Sequence, residues 1–351
     1  MSIITTKMLD FIERSGFDKF ESRPSQWGAW QLFQSDTMAG GGIVTPNLQE
    51  RALAAIGSTL KTPVINYDGT IAIRSTRPLV IPQSENTTAL VTISFTTFAF
   101  GIREYPALYV NNYITREEDF ANKMKQRLFA LGNAVDTACL TALDAAKTQV
   151  LSDTLGARYG LVANVVTGAL AEQDSIIGDL NLLQGGNDFY GFQNVVGNNS
   201  LQSLLRNRLT EQGEFNQSDK SYQMDDKKFF FTNRLGNAGT DKATGFSVEP
   251  GSVGFLYQFE PDSLLETETS NHKWGKTVLP LLNIPVGTYT YDGVEDATAG
   301  GSNPAGAAGA ELSRTSYKAY DFAGIFAFVT AYNSAPATLA GPVMKFAVAK
   351  V

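Results

Sequence analysis

The chain has 351 residues, of which 43% are hydrophobic and 18% are charged, and its formal net charge at pH 7 is -7. This composition is that of a folded protein with a large core and room for two or three subdomains, and it excludes an intrinsically disordered chain. The negative charge argues against tight electrostatic binding to a nucleic-acid backbone. A container for nucleic acid remains compatible with it, because the wall of a container should not adhere to its cargo.

The sequence indicates neither disulfide chemistry nor membrane insertion. Cys139 is the only cysteine, so no disulfide can form within the chain, and nothing points to an oxidising compartment. The first segment, MSIITTKMLDFIER, carries charges at Asp10 and Glu13 and lacks the apolar core of a signal peptide. The longest apolar run, Phe322 to Tyr332, is too short to span a bilayer. We therefore expect a soluble intracellular protein.

The chain is predicted to begin with two helices separated by an aromatic segment. Thr6 and Gly16 are the start and stop signals of a short helix from Lys7 to Ser15. The next segment, FDKFESRPSQWGAWQLFQSDTMAGGG, mixes aromatic and turn residues without a clear period. Such a segment is expected to lie over another surface. A second helix is predicted from Pro46, since proline suits the first helical position, to about Leu60.

Strand signals dominate from Pro63 to Val110. Val64 to Tyr67 and Thr70 to Ile73 flank Asp68-Gly69, a dipeptide that accepts the positive φ of a type I′ turn, so this segment predicts a β-hairpin. Ala89 to Phe100 continues with β-branched and aromatic side chains. A two- or three-stranded arm of this size is marginal by itself. It therefore needs a partner surface, either its own core or a neighbouring subunit.

The strongest signal in the chain is one long helix from Thr115 to about Val150. Thr115 and Glu118 form a capping-box pattern, and Gly132 is the one interior residue that weakens the helix, by about 1 kcal/mol relative to Ala. We expect Cys139 to be a small buried hydrophobic residue and not a reactive thiol. Such a helix would be about 50 Å long. Steps of three and four residues place its apolar side chains on one continuous stripe: Phe120, Met124, Leu128, Leu131, Val135, Cys139, Ala142, Ala146 and Val150.

The rest of the chain alternates helices and strands, which indicates a mixed α/β half. One helix is predicted within Gln173 to Leu183, and another, capped by Asn199 or Ser200, runs through Leu209 and is closed by Gly213. Residues 297–310, ATAGGSNPAGAAGA, predict an exposed loop. The predicted strands are Leu161 to Val166, Phe229 to Asn233, Val253 to Phe259, Thr288 to Tyr291, Phe322 to Tyr332 and Val343 to Val348, the last two being joined by Ser334 to Pro336.

The sequence carries none of the common catalytic or phosphate-binding motifs, such as G-x-S-x-G, G-x-x-x-x-G-K-[ST] or G-x-G-x-x-G. His272, the only histidine, is expected to be a surface-loop residue and not a general base. A zinc site would need mainly carboxylates, which is uncommon. The closest carboxylate pairs, Asp225-Asp226 before Lys227-Lys228 and Glu260/Asp262, are interpreted as solvated turns beside strands. We predict no catalytic, cofactor-binding or metal-binding residues, no cofactor and no enzymatic activity.

The chain has five parts in order: an aromatic N-terminal segment, a β-hairpin arm, a long helix, a mixed α/β half and C-terminal strands. This order resembles that of tailed-phage major capsid proteins with the Hong Kong 97 phage capsid fold. Four stretches also look like phage capsid proteins: FFFTNRLGN, VGFLYQFEPDSLLETET, LNIPVGTYTY and AFVTAYNSAPAT. The resemblance transfers no site residue. It implies an α+β fold with an N-terminal arm (1–60), an E-loop β-hairpin arm (61–114), a peripheral domain with the spine helix (115–165), a mixed α/β axial domain with return strands (166–320) and C-terminal strands (321–351).

The function implied by this resemblance is a major capsid subunit that self-assembles through pentamers and hexamers into the icosahedral head shell around the double-stranded DNA of a tailed bacteriophage. The implied partners are further copies of the chain, a separate scaffolding protein, a portal, and possible decoration proteins. Packaged DNA would be contacted non-specifically, no membrane is involved, and the implied location is the virion capsid after assembly in the bacterial host cytoplasm.

Other functions stay open at this stage. An encapsulin-type nanocompartment shell shares the fold, a tail or baseplate protein is another phage structural part, and a lone enzyme or binding protein would require a pocket. The five aromatic residues before the second helix are either anchors between subunits, because large aromatics dominate interface energies, or packed on their own subunit: Phe17, Phe20, Trp27, Trp30 and Phe33.

Overall fold

The computed structural model describes residues 27–39, 42–55, 57–66, 87–106, 116–150, 158–189, 191–216, 221–224, 226–259, 272–296, 314–336 and 338–350. Within these ranges the chain has a mixed α+β fold. Its helices are α1 (Gly28–Met38), α2 (Pro46–Ala54), α3 (Arg116–Ala146), α4 (Gln173–Gly185) and α5 (Asn199–Gln212).

The strands of the described chain form a two-stranded ribbon, an eight-stranded sheet and a five-stranded sheet. They are β1 (Thr59–Ile65), β2 (Thr88–Ser94), β3 (Thr96–Glu104), β4 (Gly160–Val162), β5 (Val165–Gly168), β6 (Gln193–Asn198), β7 (Glu214–Asn216), β8 (Ser221–Met224), β9 (Lys227–Thr232), β10 (Asp241–Val248), β11 (Val253–Gln258), β12 (His272–Leu279), β13 (Ile284–Asp296), β14 (Arg314–Thr330) and β15 (Val343–Ala349).

The eight-stranded sheet is the middle layer of three. Its order is β4-β5-β15-β10-β6-β9-β8-β7, with parallel pairing between β5 and β15 and between β6 and β9. Apolar side chains of α4 and α5, such as Leu180 and Leu201, pack on one face against Val195 and Phe346. The opposite face, with Val196 and other buried residues, belongs to the core that contains α1 and α3. Burial on both faces explains why β6 is buried at every position.

The five-stranded sheet has β14 at its centre. One edge of β14 pairs with β3. The other edge of β14 pairs with β13 along the first part of β14 and with β11 along the last part of β14. β12 extends the sheet beyond β13. Alternate residues of β14 therefore point to opposite faces. Tyr320, Phe322 and Phe326 point to the inner face and join the core with α3.

Helix α3 is the long helix expected from the sequence. It has 31 residues, which corresponds to roughly 46 Å, and its stripe from Phe120 to Cys139 is buried, including the Cys139 thiol. Burial raises the pKa of that thiol well above its ordinary value, as expected for an inert buried cysteine. The helix ends at Ala146, so Val150 lies beyond it and is exposed.

Two helix boundaries differ from the sequence-based expectation. Helix α2 ends at Ala54, and Leu60 belongs to β1 with its side chain buried. The N-terminus of α5 is capped by Asn198, one residue before the expected Asn199, because the Asn198 Oδ1 accepts a hydrogen bond from the Leu201 backbone N–H at 2.9 Å.

The predicted strands from Ala89 to Phe100 and from Leu161 to Val166 are each divided. Phe95 separates β2 from β3, which then join the ribbon and the five-stranded sheet, respectively. Ala163 and Asn164 both adopt positive φ and form the turn between β4 and β5. Sequence periodicity missed both breaks because neither contains Gly or Pro.

The C-terminal strands also differ from the prediction. β14 begins eight residues before the expected Phe322, at Arg314, and β15 ends at Ala349. They do not pair with each other: β14 lies in the five-stranded sheet and β15 in the eight-stranded sheet. The expected helix Lys7 to Ser15, the Asp68-Gly69 turn, the Thr115 cap and the loop 297–310 lie outside the described residues.

Candidate assembly surface

Helix α1 packs within the main hydrophobic core of the described chain. Trp27, Trp30 and Phe33 are buried in the main core, and the Trp30 ring packs edge-on against Phe255 with ring centroids 4.8 Å apart. These three residues therefore pack on their own subunit, and the hypothesis that they anchor a neighbouring subunit is wrong. Phe17 and Phe20 lie outside the described residues.

Asp136 on α3 fixes the beginning of α1. Its carboxylate is fully buried and accepts hydrogen bonds from the Trp30 backbone N–H at 3.0 Å and from the Thr232 hydroxyl at 2.6 Å. Backbone N–H groups in the first turn of a helix lack partners within the helix, and a negative charge there is favoured by the helix dipole. Burial nevertheless raises the pKa of Asp136, although its hydrogen bonds oppose the shift.

Asp36 fixes the other end of α1. It accepts hydrogen bonds from the Gly251 backbone N–H at 2.9 Å and from the Asn194 side-chain amide at 3.1 Å. Burial raises the pKa of Asp36 to about 6, and the hydrogen bonds limit that rise. Two buried carboxylates thus join α1 to α3, to the eight-stranded sheet and to the turn before β11. Neither was singled out from the sequence, because neither belongs to a carboxylate pair or to a recognised motif.

Gly132 has a packing role that the helix pattern could not show. A Cβ at this position would collide with the Trp27 ring, which lies directly over the Gly132 backbone. The Trp27 indole N–H also donates a hydrogen bond to Asn133 Oδ1 at 3.0 Å. The glycine in the middle of α3 therefore allows Trp27, the residue before α1, to pack closely on the helix.

The ribbon β1–β2 is an exposed antiparallel arm. Its two strands pair from Thr59 with Ser94 to Ile65 with Thr88, and the described residues place no third strand beside them. A two-stranded hairpin is at best marginally stable in water. Here its base is held by a small core in which Leu60 and Phe95 pack against Leu256 and Ala327.

One face of the ribbon carries apolar side chains that nothing in the described chain covers. Ile65 is 66% exposed and Leu90 is 69% exposed, and Leu90 stands directly opposite Pro63. On the other face, Val64 and Val91 line a groove of about 630 Å³ between the ribbon, α2 and the end of β14. Exposed apolar residues grouped on an extended arm are typical of a protein-protein contact.

The outer face of the five-stranded sheet, opposite α3, carries a row of aromatic rings. The Trp274 and Tyr289 rings stack with centroids 4.0 Å apart, and Tyr289 is followed at 5.0 Å by Tyr291. The Arg103 guanidinium lies 4.9 Å from the centre of the Tyr317 ring, a cation–π distance. Alternating aromatic residues in TYTY and in HKW were a period-two signal that could have identified this face.

Those residues considered for chemistry that lie in the described ranges, Cys139, Asp226 and His272, are not brought together. His272 is exposed at the start of strand β12, not in a loop, and its ring contacts the Tyr289 hydroxyl. Asp226 is an exposed turn residue paired with Lys227 at 2.9 Å, as expected, whereas Asp225, Glu260 and Asp262 lie outside the described residues. Among the described residues, no three His, Cys, Asp or Glu side chains are grouped as metal ligands. No helix in the described ranges is long and apolar enough to cross a membrane.

No protein-family profile matches the chain, and no curated protein matches its sequence. The chain is similar to solved phage structures. One, from Mycobacterium phage Che8, is 10% identical with a TM-score of 0.46 over 86% of this chain and 88% of that chain. Another, from Mycobacterium phage Bobi, is 14% identical with a TM-score of 0.44 over 90% and 93%.

A third similar structure is a chain of the Cyanophage Pam1 capsid asymmetric unit, at 12% identity and a TM-score of 0.45 over 85% of this chain and 86% of that chain. All three TM-scores lie below 0.5. The function therefore has to be argued from the surfaces of the chain itself.

Proposed function

We propose that the chain is a shell subunit of a tailed-phage head, with the arrangement of the Hong Kong 97 phage fold. In this arrangement α3 is the spine helix, the β1–β2 ribbon is the base of the E-loop, and the eight-stranded sheet with α4 and α5 is the axial domain. The domain boundaries given from the sequence are kept as part of this proposal, with two additions to the axial sheet from outside 166–320: β4 from the segment before it and β15 from the C-terminal segment. The alternative within the same fold is an encapsulin-type shell, and the two differ in what the shell contains.

The observation that carries the proposal is the exposed ribbon. A two-stranded arm with Ile65, Leu90 and Pro63 on one face gains stability only when another surface covers that face. A neighbouring subunit in a ring provides such a surface, because contacts that repeat around a rotation axis close into pentamers or hexamers. The rigid three-layer core, joined by the buried carboxylates of α1 and α3, supplies the fixed base from which such an arm can act.

The proposed partners follow from the same arrangement. Copies of the chain contact one another through the ribbon and the sheet faces, a separate scaffolding protein and a portal guide assembly, and decoration proteins bind the outside. Packaged DNA is contacted non-specifically, consistent with a subunit whose net charge is -7. Assembly takes place in the host cytoplasm and the product is the virion capsid. The proposed role of the chain is structural and not enzymatic.

The test is assembly of the purified chain, alone and after co-expression with its scaffold, followed by electron microscopy and light scattering. The double variant Ile65→Lys/Leu90→Lys should abolish particles because it places charges in a contact that must be desolvated. Its unfolding free energy should change by less than about 0.5 kcal/mol, since both side chains are exposed in the subunit.

The matched control is Val162→Lys on the β4–β5 hairpin. Val162 is 66% exposed, as much as Ile65, but it lies away from the ribbon and should leave particle yield unchanged. Closed shells from the wild-type chain and from the control, with none from the ribbon variant, support the proposal. A strictly monomeric wild-type chain at high concentration with no particles would refute it, and shells that contain a protein cargo instead of DNA would favour the encapsulin alternative.

A further inference from the structure

The outer edge of β11 is covered by side chains from two helices. β11 is an edge strand of the five-stranded sheet and pairs with β14 on its inner side. On its outer side, the Phe255 backbone N–H donates to Thr37 Oγ1 at 3.0 Å. Gln49 Nε2 donates to the Tyr257 carbonyl at 2.9 Å, and Gln49 Oε1 accepts from the Tyr257 N–H at 3.4 Å. Thr37 in α1 and Gln49 in α2 thus bind backbone groups that an open edge would leave unpaired.

Asp36 extends this cover to the turn between β10 and β11. Its carboxylate accepts hydrogen bonds from the Gly251 backbone N–H at 2.9 Å and from the N–H of Val253, the first residue of β11. Val253 and Phe255 are alternate residues of β11, so their N–H groups point to the same edge. The chain after α1 returns along this turn, because the Ile43 N–H donates to the Gly251 carbonyl at 2.9 Å.

Asp36 is the part of this cover that carries a charge, and its position disfavours that charge. It is 5% exposed and lies in the last turn of α1, where the helix dipole opposes an anion. Burial raises the pKa of Asp36 to about 6, and the Asn194 amide and the positive charge of Lys228 on β9 oppose that rise. Glu249, in the same turn, instead accepts from Gln193 Nε2 at 3.0 Å, and the Gln193 side chain points to the opposite face of β6 from that of Asn194.

We propose that the segment from α1 to α2 is a pH-sensitive latch on the outer edge of β11, and that it opens locally when Asp36 ionises. In the closed latch the carboxylate is held away from water, whereas in the open latch it is hydrated. A group whose pKa is higher in the closed state binds its proton more tightly there. The closed state is therefore favoured in acid, and opening becomes easier as pH rises from about 4 to above 6.

The size of the effect follows from the two pKa values of Asp36, 3.8 when hydrated and about 6 in the closed latch. The equilibrium constant for opening should rise by up to about 50-fold between pH 4 and pH 7. Amide hydrogen exchange of the full-length unassembled subunit, measured by NMR, reports this constant. The exchange rates are expressed as protection factors, which removes the intrinsic pH dependence of exchange.

Three amides report on the latch: those of Gly251, Phe255 and Ile43. Their protection factors should fall together as pH rises. The amide of Val196 reports on global unfolding, because β6 is buried at every position and pairs with a strand on each side. The protection factor of Val196 should stay above those of the three latch amides at every pH.

Two variants and a matched control assign the titration to Asp36. Asp36→Asn keeps an acceptor for the Gly251 N–H but cannot ionise, so its protection factors should change by less than about twofold with pH. Thr37→Val removes the acceptor of the Phe255 N–H, and it should lower protection at Phe255 about fivefold while the pH dependence remains. The control is Glu249→Gln, which removes the neighbouring carboxylate and should keep the pH dependence of the wild type.

A fall of at least about fivefold at all three latch amides between pH 4 and pH 7, absent in Asp36→Asn and kept in Glu249→Gln, supports the latch. A smaller fall at any of the three, an equal fall in Asp36→Asn, or loss of the pH dependence in Glu249→Gln would overturn it. Latch amides as protected as Val196 would also overturn it, because the edge would then open only by global unfolding. The latch is a property of the subunit and stands or falls independently of the proposed shell function.

Discussion

Asp136→Ala is the most informative single substitution for the packing of α1 on α3. Asp136 is fully buried, and its carboxylate is the acceptor for the Trp30 backbone N–H and the Thr232 hydroxyl. Alanine cannot accept either bond. The substitution therefore leaves a backbone donor at the start of α1 and a hydroxyl on β9 without their partner, in a region from which water is excluded.

The expected cost can be worked from these contacts. Each buried donor left unpaired costs about 1–3 kcal/mol, so the two together cost about 2–6 kcal/mol. Part of this is offset because the variant no longer buries a carboxylate, a burial that raises the pKa of Asp136 in the wild type. We expect a net loss of about 3 kcal/mol in the unfolding free energy.

Urea unfolding of the unassembled subunit, followed by tryptophan emission, measures this loss because Trp27 and Trp30 flank the site. Asp136→Asn is the control for shape. Its amide oxygen keeps one acceptor, and the Thr232 hydroxyl can rotate to accept from the amide nitrogen, so the expected loss is about 1 kcal/mol or less. An Asp136→Ala variant within 0.5 kcal/mol of wild type would refute the view that this carboxylate holds α1.

Three further predictions test other parts of the structure. The folded-state pKa of Asp36 is about 6, above its ordinary 3.8, so protonation of Asp36 favours the folded state. The unfolding free energy of the wild type should therefore fall as pH rises from about 4 to above 6, by at most about 3 kcal/mol relative to Asp36→Asn. Parallel pH profiles of the wild type and Asp36→Asn would contradict this. Gly132→Ala should destabilise the subunit by about 1–3 kcal/mol, because the added methyl collides with Trp27. Gly178→Ala in α4 is the control: its added methyl meets no atom within 4 Å, and it should stabilise the subunit by up to about 1 kcal/mol. Stability changes of the same sign for the two variants in thermal unfolding would contradict the packing argument. Val135→Pro should abolish soluble folded protein, because it breaks α3 at its middle at a cost of about 3 kcal/mol or more, and recovery of an assembling Val135→Pro chain would show that α3 is not required.

Sequence periodicity was most reliable where one face of an element is buried along its whole length. The stripe of α3 was predicted from Phe120 to Val150, and it is buried from Phe120 to Cys139 because each of these residues meets the same core. Local patterns were less reliable where tertiary contacts decide the outcome. Phe95 divides one apolar run into two strands because its side chain fills the ribbon base, and nothing in the run itself distinguishes Phe95 from its neighbours.

The groups that matter most for packing and for the candidate surfaces carried weaker signals. Asp136 interrupts an apolar helix face and was not selected, since its partners Trp30 and Thr232 are 106 and 96 residues away in sequence. Asp36 acquires its place at the edge of β11 only in the folded chain, since its partners Asn194 and Gly251 are 158 and 215 residues away in sequence. Such long-range pairings are set by the folded sheet and cannot be derived from a local window.

The exposed arm could be anticipated from the sequence, but its pairing could not. Strand signals around Val64 predicted a hairpin arm in need of a partner surface, and the structure pairs β1 with β2, at Thr88 to Ser94. The predicted turn at Asp68-Gly69 lies outside the described residues and stays a prediction. The apolar face of Ile65 and Leu90 became visible only after register assigned both residues to the same side.

The most direct test of the shell-subunit proposal is electron microscopy of the chain expressed with its scaffold and purified at high concentration. The proposal expects closed shells built from pentamers and hexamers, with the β1–β2 ribbon of each copy lying on a neighbour. A chain that stays monomeric by light scattering under every condition, with no rings or shells in the images, would contradict it.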